Sequence, residues 1–267
     1  MGANTKQLRN RIKSVDSTLH LTKAMGLVAS SKIRRALENM KRGMEYESAV
    51  KQAIEPLLSN TDCQKSPFMK QREGGKTCLV VIAGDRGLAG GYNANIFRAL
   101  REYPDADVIP IGKRACDRFH GELCLAETFD YEKAITLSND LCRAFCEGKY
   151  DRIGVLCTRY VSMLSQEAQV RFLLPLQAPE HAKSVDMIFE PDEVTILNAA
   201  VPEYVAGMLV SAVRESFASE VAARRCAMDS AGKNAQEMID DLQLQYNRAR
   251  QGAITQEITE IVAGSGT

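Results

Sequence analysis

Two seven-residue rhythms, one at each end of the chain, constrain the fold more than any other feature. Ile12, Leu19, Gly26, Ile33 and Met40 are spaced by seven, and Val15, Thr22, Ala29 and Ala36 form a second series between them. Alternating steps of three and four keep one stripe turned toward a partner helix, and the small residues in it allow close backbone approach. No proline interrupts the segment before Pro56. A helix from near Thr5 to near Leu57 is about 80 Å long, more than a compact domain encloses. The C-terminal segment repeats the pattern with Met228, Ala235, Leu242 and Ala249, and with Ile239, Tyr246 and Ala253. It has no proline after Pro202, and Gly264, Ser265 and Gly266 supply a stop. Antiparallel pairing of the two helices satisfies both stripes. A compact bundle of shorter helices is the alternative, because bundle helices seldom exceed about 25 residues.

A second helix over 203–263 outlasts the first. Its far end then carries Ile254, Ile258, Ile261 and Val262 with no intrachain cover, an apolar set suited to insertion into another protein.

Between the helices the period changes. KTCLVVIA, from Lys76 to Ala83, has the continuous apolar character of a buried strand. The turn Gly84-Asp85-Arg86-Gly87-Leu88-Ala89-Gly90-Gly91-Tyr92-Asn93 follows, then a helical stretch from Ala94 to Glu102. Further strands are expected over 107–112, 152–158 and 170–176, the last ending or lying at an edge because of Pro175, with a helix over 132–147. Alternation of this kind makes a small α/β layer. Residues 60–75 are polar and read as a loose connection.

A glycine-rich turn between strand and helix is where α/β proteins bind phosphates. Here the glycines do not form GxGxxG, and no Lys-Ser or Lys-Thr follows as a phosphate loop requires. The turn therefore reads as a tight structural element, and an α/β nucleotide-binding enzyme with helical arms remains the rival. There is no GxSxG or HExxH, and His20, His120 and His181 stand singly. No catalytic residue, cofactor site or metal site is expected, and the chain reads as a non-enzyme. Eight cysteines lack CxxC spacing and read as reduced thiols; Cys142 and Cys146 share a helix face but supply only half a zinc ligand set.

The chain has 267 residues, 45% hydrophobic and 25% charged, with formal net charge zero. That balance removes a whole-protein argument for nucleic acid. No stretch reads as the roughly 20 apolar residues that cross a bilayer, and no signal-peptide pattern opens the chain, so a cytoplasmic compartment without a membrane span is expected. Charge is uneven, however: residues 1–45 hold ten basic residues and three acidic ones. An acidic partner is expected for that segment.

The segment from Ile12 to Ala36, with Leu21-Thr22-Lys23-Ala24-Met25 and Val28-Ala29-Ser30-Ser31-Lys32, resembles the first helix of F-type ATP synthase gamma subunits. AARRCAMD from Ala222 to Asp229, Asn234-Ala235, and LQLQYNRARQGAITQEITEIV from Leu242 to Val262 resemble that family's last helix. The turn from Gly84 to Asn93 matches between them, in the family's order. The resemblance implies a long antiparallel coiled coil of N- and C-terminal helices with an inserted Rossmann-like α/β domain, divided at 1–58, 59–200 and 201–267.

It also implies the role of central rotor stalk, coupling ion translocation through a membrane c-ring to ATP synthesis or hydrolysis in an alpha-beta hexamer, with an epsilon subunit as a further partner. Carried over by motif, Met25 and Arg224 face an acidic loop of a beta subunit, and Gln251, Thr255 and Glu257 make the upper contacts with that subunit. Ile258 belongs to the inserted end. A c-ring contact is expected near Met187, Ile188, Phe189 and Glu190. No cysteine-bounded loop like that of chloroplast versions is present, so a bacterial form, peripheral on the cytoplasmic face of the plasma membrane, is expected. A non-rotary coiled-coil scaffold is the second rival.

Overall fold

A computed structural model describes residues 2–72, 75–178 and 189–264, with residues 2–4 as backbone. The elements in chain order are α1 (Gly2–Leu58), β1 (Thr77–Ile82), α2 (Tyr92–Ala99), β2 (Asp107–Ile111), α3 (Lys113–Phe119), α4 (Tyr131–Cys146), β3 (Arg152–Tyr160), β4 (Gln166–Leu174) and α5 (Glu193–Gly264). The chain forms two compact units, one from Met1–Ser30 with Arg224–Thr267 and one from Ser31–Ala223.

In the first unit α1 and α5 run antiparallel along the expected seam. Leu19 packs with Ala235 and Ile239, with Val15 alongside. A Cβ placed on Gly26 meets Met228 Cβ at 3.6 Å, and one on Gly232 meets Thr22 Oγ1 at 3.7 Å. Partners therefore rise in number on α5 as they fall on α1, which is the antiparallel register. Leu19, Thr22, Met228, Ala235, Ile239 and Leu242 are buried. Truncating a buried seam leucine such as Leu19 to alanine costs about 2–5 kcal/mol.

The second unit is a four-stranded sheet in the order β2-β1-β3-β4. β1 pairs parallel with β2 (Val80 opposite Ile109) and with β3 (Val80 opposite Val155), whereas β4 runs antiparallel to β3 (Val155 opposite Arg171). Both faces are covered. On one, Cys78, Val80, Ile82, Val155 and Cys157 pack with Leu141 and Phe145 of α4, Ile54 and Leu57 of α1, and Leu197 through Val213 of α5. On the other, Leu79, Val81 and Leu156 pack with Ile96 of α2. Burial on both faces is why β1 reads as an unbroken apolar run. Pro110 sits in β2, an outer strand, where its missing N–H costs the sheet no ladder bond.

Five local features depart from the sequence expectation. α5 begins at Glu193, ten residues before the expected 203, with Pro202 inside it. Asp192 caps its start, accepting Thr195 N–H at 2.9 Å and Thr195 Oγ1–H at 2.7 Å. Burial of Leu197, Val201 and Val205 against the core outweighs the hydrogen bond that proline removes. The Pro202 carbonyl accepts from Ser138 Oγ at 2.6 Å.

The connection over 60–72 is not loose. Cys63, Ser66 and Phe68 are buried, and Phe68 O accepts Leu176 N–H at 2.8 Å. β4 begins at Gln166 rather than 170, and α3, seven residues long, had no expectation at all. α5 also contains an 18-residue window with mean hydropathy 1.5, apolar enough to cross a membrane, against the expectation of none. Because 61% of that window is buried inside the protein, its apolarity belongs to the core.

Candidate partner-binding surfaces

α5 places most of the expected partner-facing residues. Its last half-buried seam residue is Ala253, and every residue from Ile254 to Gly264 is exposed. Ile254, Ile258, Ile261 and Val262 are 44%, 56%, 69% and 64% exposed. Apolar side chains at steps of four and three share one stripe of a helix, so Ile254, Ile258 and Ile261 form a row rather than scattered points. Gln251, Thr255 and Ile258 share a face on the same spacing, with Thr255 Oγ1 donating to Gln251 O at 3.0 Å. Glu257 lies on the neighbouring face, about 100° from Ile258. Met25 and Arg224, both half-buried, fall on the two facing helices of the same unit.

Phe189 is half-buried and packs on the core of the sheet unit, while Glu190 beside it is exposed. The pair thus offers one anchored ring and one exposed carboxylate. Met187 and Ile188 lie outside the described residues.

The glycine turn after β1 holds carboxylates where a phosphate-binding turn would hold an anion. Asp85 Oδ1 accepts Lys113 N–H at 3.1 Å and Ala126 N–H at 3.0 Å, and its Oδ2 accepts Glu127 N–H at 2.8 Å. Gly84 N–H is taken by Asn93 Oδ1 at 2.9 Å, and Arg86 N–H by Glu220 Oε1 at 3.4 Å. The buried Glu220 of α5 thus occupies the crevice at the carboxyl end of β1. The Gly84 and Arg86 backbone donors are thus taken by side chains of the protein itself, which leaves neither for a phosphate. The turn is a structural joint between the sheet and α5.

A second joint went unread in the sequence. Arg171 of β4 pairs with Glu215 of α5 and stands 3.8 Å from Glu47 Oε2 of α1. Glu47 Oε2 also accepts from Ser211 Oγ at 2.6 Å, and its Oε1 from Lys51 Nζ at 2.7 Å. Glu215 Oε1 accepts Tyr160 N–H at 3.1 Å. Burial alone would raise the Glu47 carboxyl, but the bonds from Lys51 and Ser211 and the charges of Lys51 and Arg171 hold it below its ordinary value. Ser216 Oγ accepts Thr158 N–H at 3.0 Å and Ser219 Oγ donates to Thr158 O at 3.3 Å, extending the polar contact along α5. The available sequence signal was Glu215, Ser216, Ser219 and Glu220 interrupting an otherwise apolar helix.

All eight cysteines are free thiols, and Cys63, Cys78, Cys116, Cys142 and Cys157 are buried. Burial pushes Cys78 and Cys157 up to about 12 and Cys142 up to about 11, so these thiols stay protonated and unreactive.

Comparison with known proteins gives one answer over the whole chain. The family model described as ATP synthase matches residues 4–267. The ATP synthase gamma chain of Ruminococcus albus is 40% identical, covering 98% of each chain. That of Xanthomonas campestris pv. campestris is 39% identical over 98% of this chain and 99% of its own. The sodium ion specific ATP synthase gamma chain of Acetobacterium woodii is 37% identical over 99% of each. Among solved structures, a chain of the Euglena gracilis mitochondrial ATP synthase (OSCP/F1/c-ring, rotational state 3) has TM-score 0.70 at 18% identity, covering 98% of this chain and 94% of that one. One from the Tetrahymena thermophila mitochondrial ATP synthase central stalk and c-ring has TM-score 0.62 at 22% identity, covering 79% and 99%. At these identities the structural likeness concerns the fold. With a family model matching residues 4–267 and gamma chains 37–40% identical over nearly the full length of both sequences, the chain belongs to the ATP synthase gamma-chain family.

Proposed function

We propose that the chain is the central rotor stalk of a bacterial ATP synthase, a non-catalytic subunit that couples ion flow through the c-ring to nucleotide chemistry in the alpha-beta hexamer. The observation that carries this reading is the run of α5 beyond its seam, where Ile254, Ile258, Ile261 and Val262 are exposed in a row on an uninterrupted helix. An apolar helix end of this kind is costly in water and gains by insertion into a partner.

Gln251, Thr255, Glu257 and Ile258 then face the upper bearing of a beta subunit, and Met25 and Arg224 its acidic loop. The excess of basic residues over 1–45 is complementary to that loop. Phe189 and Glu190 contact the c-ring, and the epsilon subunit binds the base. In this division 1–58 and 201–267 form the coiled coil and 59–200 the base. The complex lies at the cytoplasmic face of the plasma membrane.

Catalysis is driven by population shift. A stalk that presents a different face to each catalytic site in turn favours a different open or closed state at each.

Mixing the full chain with separately purified alpha and beta subunits tests the reading. Co-elution as one complex is expected, with Ile258→Asp weakening it. A chain that elutes alone while the hexamer forms without it contradicts the proposal.

A further inference from the structure

α5 meets the sheet unit through two kinds of contact. From Leu197 to Val213 it lies on the core through aliphatic side chains, a contact that is strong but non-directional. Over 215–220 its buried face is polar: Glu215, Ser216, Ser219 and Glu220 each bond to the sheet or to the turn after β1. Charge-assisted hydrogen bonds have narrow distance and angle limits, so they fix the rotation of a helix about its own axis where an aliphatic contact permits slip. Arg171 stands at the centre. It is on β4, an outer strand, and its guanidinium reaches Glu215 of α5 and Glu47 of α1. One side chain thereby joins both long helices to the sheet.

Net stability does not explain such a node. A cluster of two carboxylates and a guanidinium largely withdrawn from water, with Glu215 buried and Glu47 and Arg171 half-buried, is often matched or exceeded in stability by apolar side chains of similar volume. What the cluster supplies and an apolar patch does not is register.

Resting on the central-stalk reading, we propose that Arg171, held between Glu47 and Glu215, is the positioning residue that keys α1 and α5 to the sheet, so that torque applied to the base passes into the helices without slip at the joint. Lys51 and Ser211 hold the Glu47 carboxylate in place, and the backbone of Tyr160 holds Glu215.

The test uses the assembled complex in sealed vesicles, reading ATP hydrolysis and ATP-driven ion pumping on the same preparation. The triple variant Glu47→Leu, Arg171→Met, Glu215→Leu removes the three charges together, and the one cation that loses a partner, Lys51, is half exposed to water. It is expected to assemble and to hydrolyse ATP at near the parental rate, with ions pumped per ATP reduced several-fold. Arg171→Lys, which retains charge without the planar fork, is expected to recover part of that ratio. A parental ratio in the assembled triple variant overturns the proposal and leaves the central-stalk reading intact. Should the triple variant not assemble, Glu215→Gln, which keeps an acceptor for Tyr160, carries the measurement. An unchanged ratio there, or loss of assembly with no change in the ratio of what remains, overturns it equally. Failure of the unmodified complex to pump at all tells against the stalk reading instead.

Discussion

A Cβ added to Gly84 would stand 2.8 Å from Glu220 Cδ, closer than real side-chain atoms approach. The turn after β1 is therefore closed around a carboxylate of the C-terminal helix, and Gly84 is glycine to make room for it. This relationship separates the chain from nucleotide-binding α/β proteins more firmly than any missing motif does. It places an acidic group of the chain's own where a ligand phosphate would lie.

Gly84→Ala should displace Glu220 and weaken the bond it accepts from Arg86 N–H. The expected cost is about 1–3 kcal/mol, the range for overpacking a closed site. Urea unfolding followed by circular dichroism checks it. Gly112→Ala should be far worse, because its Cβ would lie 1.9 Å from Ala83 O at a backbone φ of +91°.

The Glu47 node predicts a pH dependence. Its folded carboxyl titrates below the ordinary value of 4.5, so it contributes stability that is present above that value and lost as pH falls through the lower folded value. The melting temperature of the chain should fall on acidification below about pH 4.5, and Glu47→Gln should flatten that part of the curve. An identical acid limb in the variant would mean the network does not hold this carboxylate ionised.

Gly232 sits in mid-helix opposite Leu19 and Thr22, and a Cβ there meets Thr22 Oγ1 at 3.7 Å, an ordinary contact. Gly232→Ala should therefore stabilise the helix pair by up to about 1 kcal/mol, the helix-propensity difference. Hydrogen exchange of amides between residues 225 and 240 should slow accordingly. The same holds for Gly26, whose added Cβ would lie 3.6 Å from Met228 Cβ.

The seam was legible because coiled-coil packing writes itself into local spacing. Leu19, Thr22, Ala29, Ala36 and Met40, chosen on a heptad count, are all buried, and the exposed row from Ile254 follows from where the count outlasts its partner. Strand β1 was legible from its apolar run for the same local reason. α3 was not, because seven residues ending at His120 in a left-handed conformation carry too little periodicity to be seen. Pro202 reads locally as a stop, which puts the expected start of α5 after it, and only the tertiary burial of Leu197 and Val201 overrides that local signal. Segment 60–72 looked loose because its polar residues outnumber the three that matter, Cys63, Ser66 and Phe68. The Glu47, Arg171 and Glu215 node was invisible because its members lie on three elements far apart in sequence. No spacing rule connects them, although two acidic residues inside an apolar helix could have been flagged as needing buried partners.

Transmission of torque by the paired helices is measured at Ala231. This residue lies in the uninterrupted part of α5 beside Gly232, and proline there removes a backbone hydrogen bond and kinks the helix at a cost of about 3 kcal/mol. In vesicles carrying the assembled Ala231→Pro complex, ATP hydrolysis should persist while ATP-driven ion pumping per ATP falls well below the parental ratio. A parental pumping ratio in that variant would mean that torque does not pass through the α1–α5 pair.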